Sequence, residues 1–161
     1  MRSVMLSAAL AAGALSLSLG TAEAAKGPKK PDTPFAIHVS TASKDQDTLD
    51  STNDVRRAIE KKGDWFRLTD NPKEADIALE ITSRDFSQDK ALIVRGRLTT
   101  ANLENAAIIG QCIPGLLDIK GPWKSAAENM AKRVENFARE TYADLAEAQR
   151  NRAKAGSAAS Q

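Results

Sequence analysis

The sequence predicts an α+β fold, an α/β two-layer sandwich in which a mixed sheet of four or five strands carries two helices on one face, in the order β-α-β-β-β-β-α. Three observations carry this expectation. Short runs such as Ile77, Leu79 and Ile81 alternate large apolar residues with smaller or polar ones, the period of a strand buried on one side. Two segments, Ser51 to Gly63 and Gly121 to Arg150, instead repeat apolar residues every three or four positions. The breakers Asn71-Pro72, Pro114-Gly115 and Gly121-Pro122 fall between the periodic runs.

The first strand has Phe35, Ile37 and Val39 on one face, and a polar loop from Ser40 to Thr48 follows. Ser51 with Asp54 three residues on resembles a capping box, and Val55, Ala58 and Ile59 continue at helical spacing. Gly63 is placed as the left-handed residue that ends this helix. Phe66 and Leu68 make a short second strand, and Ile77 to Ile81 a third. Asp85 to Lys90 reads as a hairpin connection carrying Phe86. Leu92, Val94 and Leu98 share parity with Gly96 in a fourth strand. A fifth over Ala107 to Ile113 has open register, because both parities contain Ile. Gly121-Pro122 starts the second helix, with Pro at its first position. Trp123, Ala127, Met130, Val134, Phe137, Thr141 and Leu145 then form the strongest amphipathic stripe, in one helix ending near Arg150. The first strand, first helix and second strand form a right-handed crossover unit, and the later strands antiparallel hairpins. Phe35, Phe66, Trp123 and Phe137 are the expected aromatic core, so Trp123→Ala should cost about 3–5 kcal/mol.

The amino terminus carries an address. Arg2 precedes an uncharged stretch from Ser3 to Ala22, with Leu6, Leu10, Leu15, Leu17 and Leu19 set among Ala, Ser and Gly, and the small-residue pattern Ala22-Glu23-Ala24 follows. That is the layout of a secretory signal peptide, residues 1–24, cleaved after Ala24. Retention of the same stretch as a membrane anchor is the competing reading, and its Ala, Ser and Gly content disfavours it. Residues 25–34, rich in Lys and Pro, read as a flexible linker. Residues 35–150 are then a single α/β domain, and 151–161 a small-residue disordered tail. The expected location is periplasmic or secreted.

Composition excludes several classes. With 23 Lys and Arg against 21 Asp and Glu, the net charge of +2 gives no concentrated basic stripe, so no nucleic-acid partner is expected. After cleavage no apolar stretch is left to span a membrane stably. Cys112 is the single cysteine, which cannot close a disulfide within one chain and leaves a thiol or a link to another molecule. The basic residues from Arg150 to Lys154 read as a solvated helix end.

Few residues invite a chemical reading. Asp45-Gln46-Asp47-Thr48-Leu49-Asp50 opens like a calcium loop, but Leu49 stands where an oxygen ligand belongs, Asp50 where Gly belongs and Arg56 where the bidentate Glu belongs. A solvated loop feeding a helix amino terminus is the plainer reading. His38 is the sole histidine, so no multi-histidine metal site can form. It falls on the sheet face away from the helices, with Glu80, Thr82, Arg95 and Arg97 by parity. These four, His38, Glu80, Arg95 and Arg97, are a candidate polar binding surface, or an open sheet face with cross-strand ion pairs such as Glu80 with Arg95 or Arg97. Cys112 reads as a small buried apolar residue rather than a nucleophile paired with His38. Leu116 and Leu117 sit in an unusually apolar connector that either tucks over the core edge or contacts a partner. No nucleophile elbow, phosphate loop, dinucleotide fingerprint or zinc-protease motif occurs, and no cofactor or metal is expected.

The run Asp54-Val55-Arg56-Arg57-Ala58-Ile59 to Gly63, then Trp65-Phe66-Arg67-Leu68 and Ala75-Asp76-Ile77, resembles the small α/β units of bacterial envelope proteins such as the amino-terminal domain of TolB. The resemblance covers Phe35 to Ile81 and implies an envelope-located interaction module. No propeller repeat follows, so a TolB function does not come with it. The expected function is therefore a non-catalytic exported binding module with an envelope protein partner. The alternative is a small exported enzyme or small-ligand carrier whose site is not visible in sequence.

Overall fold

The computed structural model describes residues 30–113 and 121–158. The leader, most of the linker, Leu116 and Leu117 of the expected partner loop, and residues 159–161 lie outside that range. The elements are β1 (Phe35–Ser40), α1 (Gln46–Glu60), β2 (Phe66–Leu68), a 3-10 turn (Pro72–Glu74), β3 (Ile77–Phe86), β4 (Leu92–Thr100), β5 (Leu103–Cys112), α2 (Pro122–Glu140) and α3 (Tyr142–Ala158). The strands form one mixed sheet in the order β2-β1-β3-β4-β5. β1 is parallel to β2 and β3, while β3, β4 and β5 run antiparallel. The α+β class is as the sequence predicts; the helix count is three rather than two.

α1 begins more than a turn before Ser51. Asp45 is its cap, its Oδ2 accepting the Thr48 N–H at 2.9 Å and the Thr48 hydroxyl at 2.9 Å. Thr48, Ser51 and Thr52 then share its buried face with Val55, Ala58 and Ile59, so its first turns carry no large apolar stripe to betray them. At the other end Lys61 stays right-handed and donates its N–H to Arg57 O. Gly63 does not adopt the expected left-handed conformation; Lys90, Asn105 and Gly121 are the described residues with positive φ.

Ile37, Val39, Ile77, Leu79, Ile81 and Val94 from the sheet meet Val55 and Ile59 of α1 and Ala126, Met130 and Val134 of α2 in a core sealed from solvent. α2 comes close to β5 at Gly110, where an added Cβ would lie 2.3 Å from Ala126 O and 2.6 Å from Met130 Cβ. β5 thereby turns Ile108 and Gly110 inward, which settles its register. Trp123 and Phe137 are only half-buried, so the expectation that both belong to the core is corrected. The buried aromatics are Phe35, Trp65 and Phe66, with Tyr142 edge-on to Phe35 and Trp65 at 5.9 and 6.5 Å between ring centres.

The expected single carboxy-terminal helix breaks at Thr141. Its hydroxyl donates to Phe137 O at 2.8 Å and its φ and ψ, −103° and 20°, leave the helical region. α3 departs from there, buries Leu145, and takes in residues 151–158, which the sequence assigned to a disordered tail. Among the described residues no helix is long and apolar enough to cross a membrane.

One irregularity in β3 sets which side chains meet at the end of the sheet. β3 pairs with β4 as Ile81 with Gly96 and then as Ser83 with Arg95, so Thr82 is an extra residue in a bulge. Beyond it the faces of β3 exchange. Arg84 and Phe86, opposite Val94 and Leu92, point to the helix side.

Candidate functional site

The sheet face away from the helices holds the four residues singled out from sequence, but spreads them. His38 is half-buried on β1, with Nδ1 3.0 Å from Thr69 O. Because a carbonyl only accepts, Nδ1 carries the proton in that bond. Beside it Arg56 donates to Val39 O at 3.2 Å and pairs with Asp70 at 2.8 Å. The Arg56 hydrogen bond and charge, with a smaller contribution from the His38 charge, hold the Asp70 carboxyl below its ordinary range. Glu80 faces Arg97 in register across β3 and β4. Arg95 turns instead to Asp85, at 3.5 Å, because the bulge shifts that part of the ladder. Arg95 and Arg97 are exposed, about 10 Å from β1 at two strand spacings. His38 and Cys112 lie three strands apart on opposite faces, so a catalytic pair between them is ruled out by topology.

The bulge builds a second place that parity alone conceals. The Arg84 guanidinium, its side chain 16% exposed, lies 4.1 Å above the Trp123 ring and binds Asp47 at 2.7 Å. Phe86 meets the edge of the same ring at 5.4 Å. Next to this stack is a cleft of about 470 Å³. Asp50, Asn53, Asp54 and Arg57 line it from one face of α1, with Arg84 and Lys124 opposite. One wall thus carries carboxylates with Arg57, and the other Arg84 and Lys124 with the Trp123 ring, an arrangement that binds polar groups by charge and stacking. The signal in the sequence is the parity of Phe86, which mismatches Ile77, Leu79 and Ile81 on the same strand.

At this corner two large apolar side chains face solvent, Phe86 at 70% exposure and Ile113 at 75%. They belong to one end of the sheet, since Phe86 is opposite Leu92 and Leu92 opposite Cys112. Leu116 and Leu117 follow Ile113 closely in sequence.

The acidic run expected to be a loop is the opening of α1. Asp45 caps it, Asp47 binds Arg84, and Asp50 accepts from Gln46 Nε2 at 2.8 Å, so these oxygens do not converge as a calcium loop would. Among the described residues no group of three His, Cys, Asp or Glu side chains is placed to hold a metal ion.

No protein-family model matches the chain, and no curated protein does. Among solved structures the PelC dodecamer from Paraburkholderia phytofirmans is similar at a TM-score of 0.38 and 14% identity, over 62% of this chain and 82% of that one. A likeness that slight says nothing of function here.

Proposed function

We propose that this is an exported, non-catalytic interaction module of the bacterial cell envelope, which binds a protein partner through the corner formed by Phe86, Ile113 and the Arg84–Trp123 stack. The observation that carries the reading is the exposure of Phe86 at the end of β3 and of Ile113 just past β5, at the same end of the sheet with β4 between them, an unusual place to leave two large apolar side chains in water. The leader-like sequence from Met1 to Ala24 supports export. Arg84, held by Asp47 and Trp123, supplies a fixed donor group beside Phe86. The polar face with His38, Glu80, Arg95 and Arg97 flanks the contact and is the second surface a partner could reach. Photocrosslinking from position 86 in cells tests this: a discrete adduct with one envelope protein is expected, and none at 86 or 95 contradicts it.

The cleft beside Trp123 favours one other reading, a carrier of a small polar ligand. Saturable binding from an envelope metabolite extract, lost in Arg57→Ala, would select it.

A further inference from the structure

Strand β5 ends the sheet, and among the described residues no strand pairs with its outer edge. Its register with β4 runs unshifted from Leu92–Cys112 to Leu98–Ala106. The Gln111 N–H points away from β4, to Asn129 Oδ1 at 3.1 Å. In an antiparallel ladder, outward backbone groups recur at every second residue, so Ile109 and Ala107 also present their N–H and C=O to the edge. Natural edges are ordinarily blunted by Lys, Pro or a bulge; the irregularity of β5 lies at Glu104–Asn105, and beyond it the strand reads Ala-Ala-Ile-Ile from Ala106 to Ile109. A groove of about 340 Å³ runs along it, bounded by both faces of β5 and by Arg133, Phe137 and Glu140 of α2.

We propose that this edge is a homodimer interface, in which β5 of two copies pairs antiparallel and joins the two sheets into one. A second copy fits better than an unrelated peptide because the groove complements itself. Arg133 and Glu140 stand two helical turns apart on one face of α2, with Phe137 between them. Arg133 Nε also donates to Asn129 Oδ1 at 3.2 Å, which holds it along the edge. A two-fold axis at Ile108 runs the two α2 helices antiparallel. Arg133 of each copy then approaches Glu140 of the partner subunit, and the Phe137 rings share the middle. The same axis sets Ala107 opposite Ile109 of the partner subunit, so that each such pair exchanges both its N–H···O=C bonds. The contact lies away from Phe86 and does not depend on where the chain resides.

Sedimentation equilibrium of the purified chain tests the interface. The wild-type chain is expected at twice the monomer mass. Arg133→Glu and Glu140→Arg, each placing like charges together, should give monomers, and the double variant Arg133→Glu/Glu140→Arg should recover the dimer. Ala107→Pro, which deletes one edge donor, should also give a monomer. Circular dichroism melting reports whether each variant stays folded; the two charged positions are exposed, so their melting is expected to persist. A monomeric wild-type chain at hundreds of micromolar, a dimer that survives both single charge variants, or a larger assembly would overturn the proposal.

Discussion

Arg152 of α3 places Nη1 2.9 Å from Asp76 Oδ1, and the Asp76 side chain is only 1% exposed. Asp76 Oδ2 accepts the Ala36 N–H at 2.7 Å, and the Asp76 N–H returns to Ala36 O at 2.7 Å. Arg152 donates its own N–H groups to Glu74 O and Ala75 O, at 2.8 and 3.1 Å. Asp76 Oδ1 therefore receives the guanidinium charge without a directed hydrogen bond. One side chain near the end of the chain thus neutralises a carboxylate buried where β1 meets β3.

Removing that charge should hurt more than the exposed position of Arg152 suggests. Arg152→Ala is expected to cost about 2–3 kcal/mol, below the usual figure for a broken buried pair because the Arg152 side chain is 39% exposed. Asp76→Asn keeps an acceptor for Ala36 and sheds the buried charge, at about 1 kcal/mol. Urea unfolding of both variants checks the order; equal costs would show that Arg152 acts through packing alone.

Two glycines should respond oppositely. Gly110→Ala drives a methyl into Ala126 O and Met130 and forces α2 off β5, at about 1–3 kcal/mol or more. Gly63 is not left-handed and an added Cβ there meets Glu60 O at 3.7 Å, so Gly63→Ala should be neutral or stabilise by about 0.4–1 kcal/mol. Thermal melting of the two separates the cases.

The stack at the corner should register as coupling. Trp123→Ala should cost about 1–2 kcal/mol, less than the 3–5 kcal/mol of a core aromatic, because the ring is half-buried. A double-mutant cycle of Arg84→Ala with Trp123→Ala should return about 0.5–1 kcal/mol. Strict additivity would mean that the guanidinium gains nothing from the ring.

Acid should loosen the contact of α2 with the turn that follows α1. Burial pushes the Glu135 carboxyl up, but hydrogen bonds from Lys62 at 2.6 Å and Arg139 at 3.0 Å outweigh it and the net direction is down from 4.5. A depressed folded value means that its stabilisation is complete above the unfolded value and is lost as pH falls through the folded one. Melting temperatures of the wild type should therefore drop between neutral pH and about pH 3 by more than those of Glu135→Gln. Identical pH profiles would remove Glu135 from the account.

The strands were legible because alternation survives in Phe35–Val39, Ile77–Ile81 and Leu92–Leu98, and it sorted the faces of β1 and most of β4 correctly. The start of α1 was not, since Thr48, Ser51 and Thr52 are buried hydroxyl residues that a hydrophobic pattern passes over; Asp45 with Thr48 three residues on was the readable cap. The break at Thr141 hid inside an unbroken helical period. The corner site was missed because one bulged residue, Thr82, reverses parity, and only the mismatch of Phe86 announces it. His38, Glu80, Arg95 and Arg97 were placed on the right face, yet strand order, which decides their spacing, is not written in local periodicity.

The proposed envelope role requires the chain to work outside the cytoplasm. Mass spectrometry of the native protein's amino terminus in fractionated cells measures this directly. Ala25 at the amino terminus of an extracytoplasmic species is the predicted result, and an intact Met1 confined to the cytosol would contradict it.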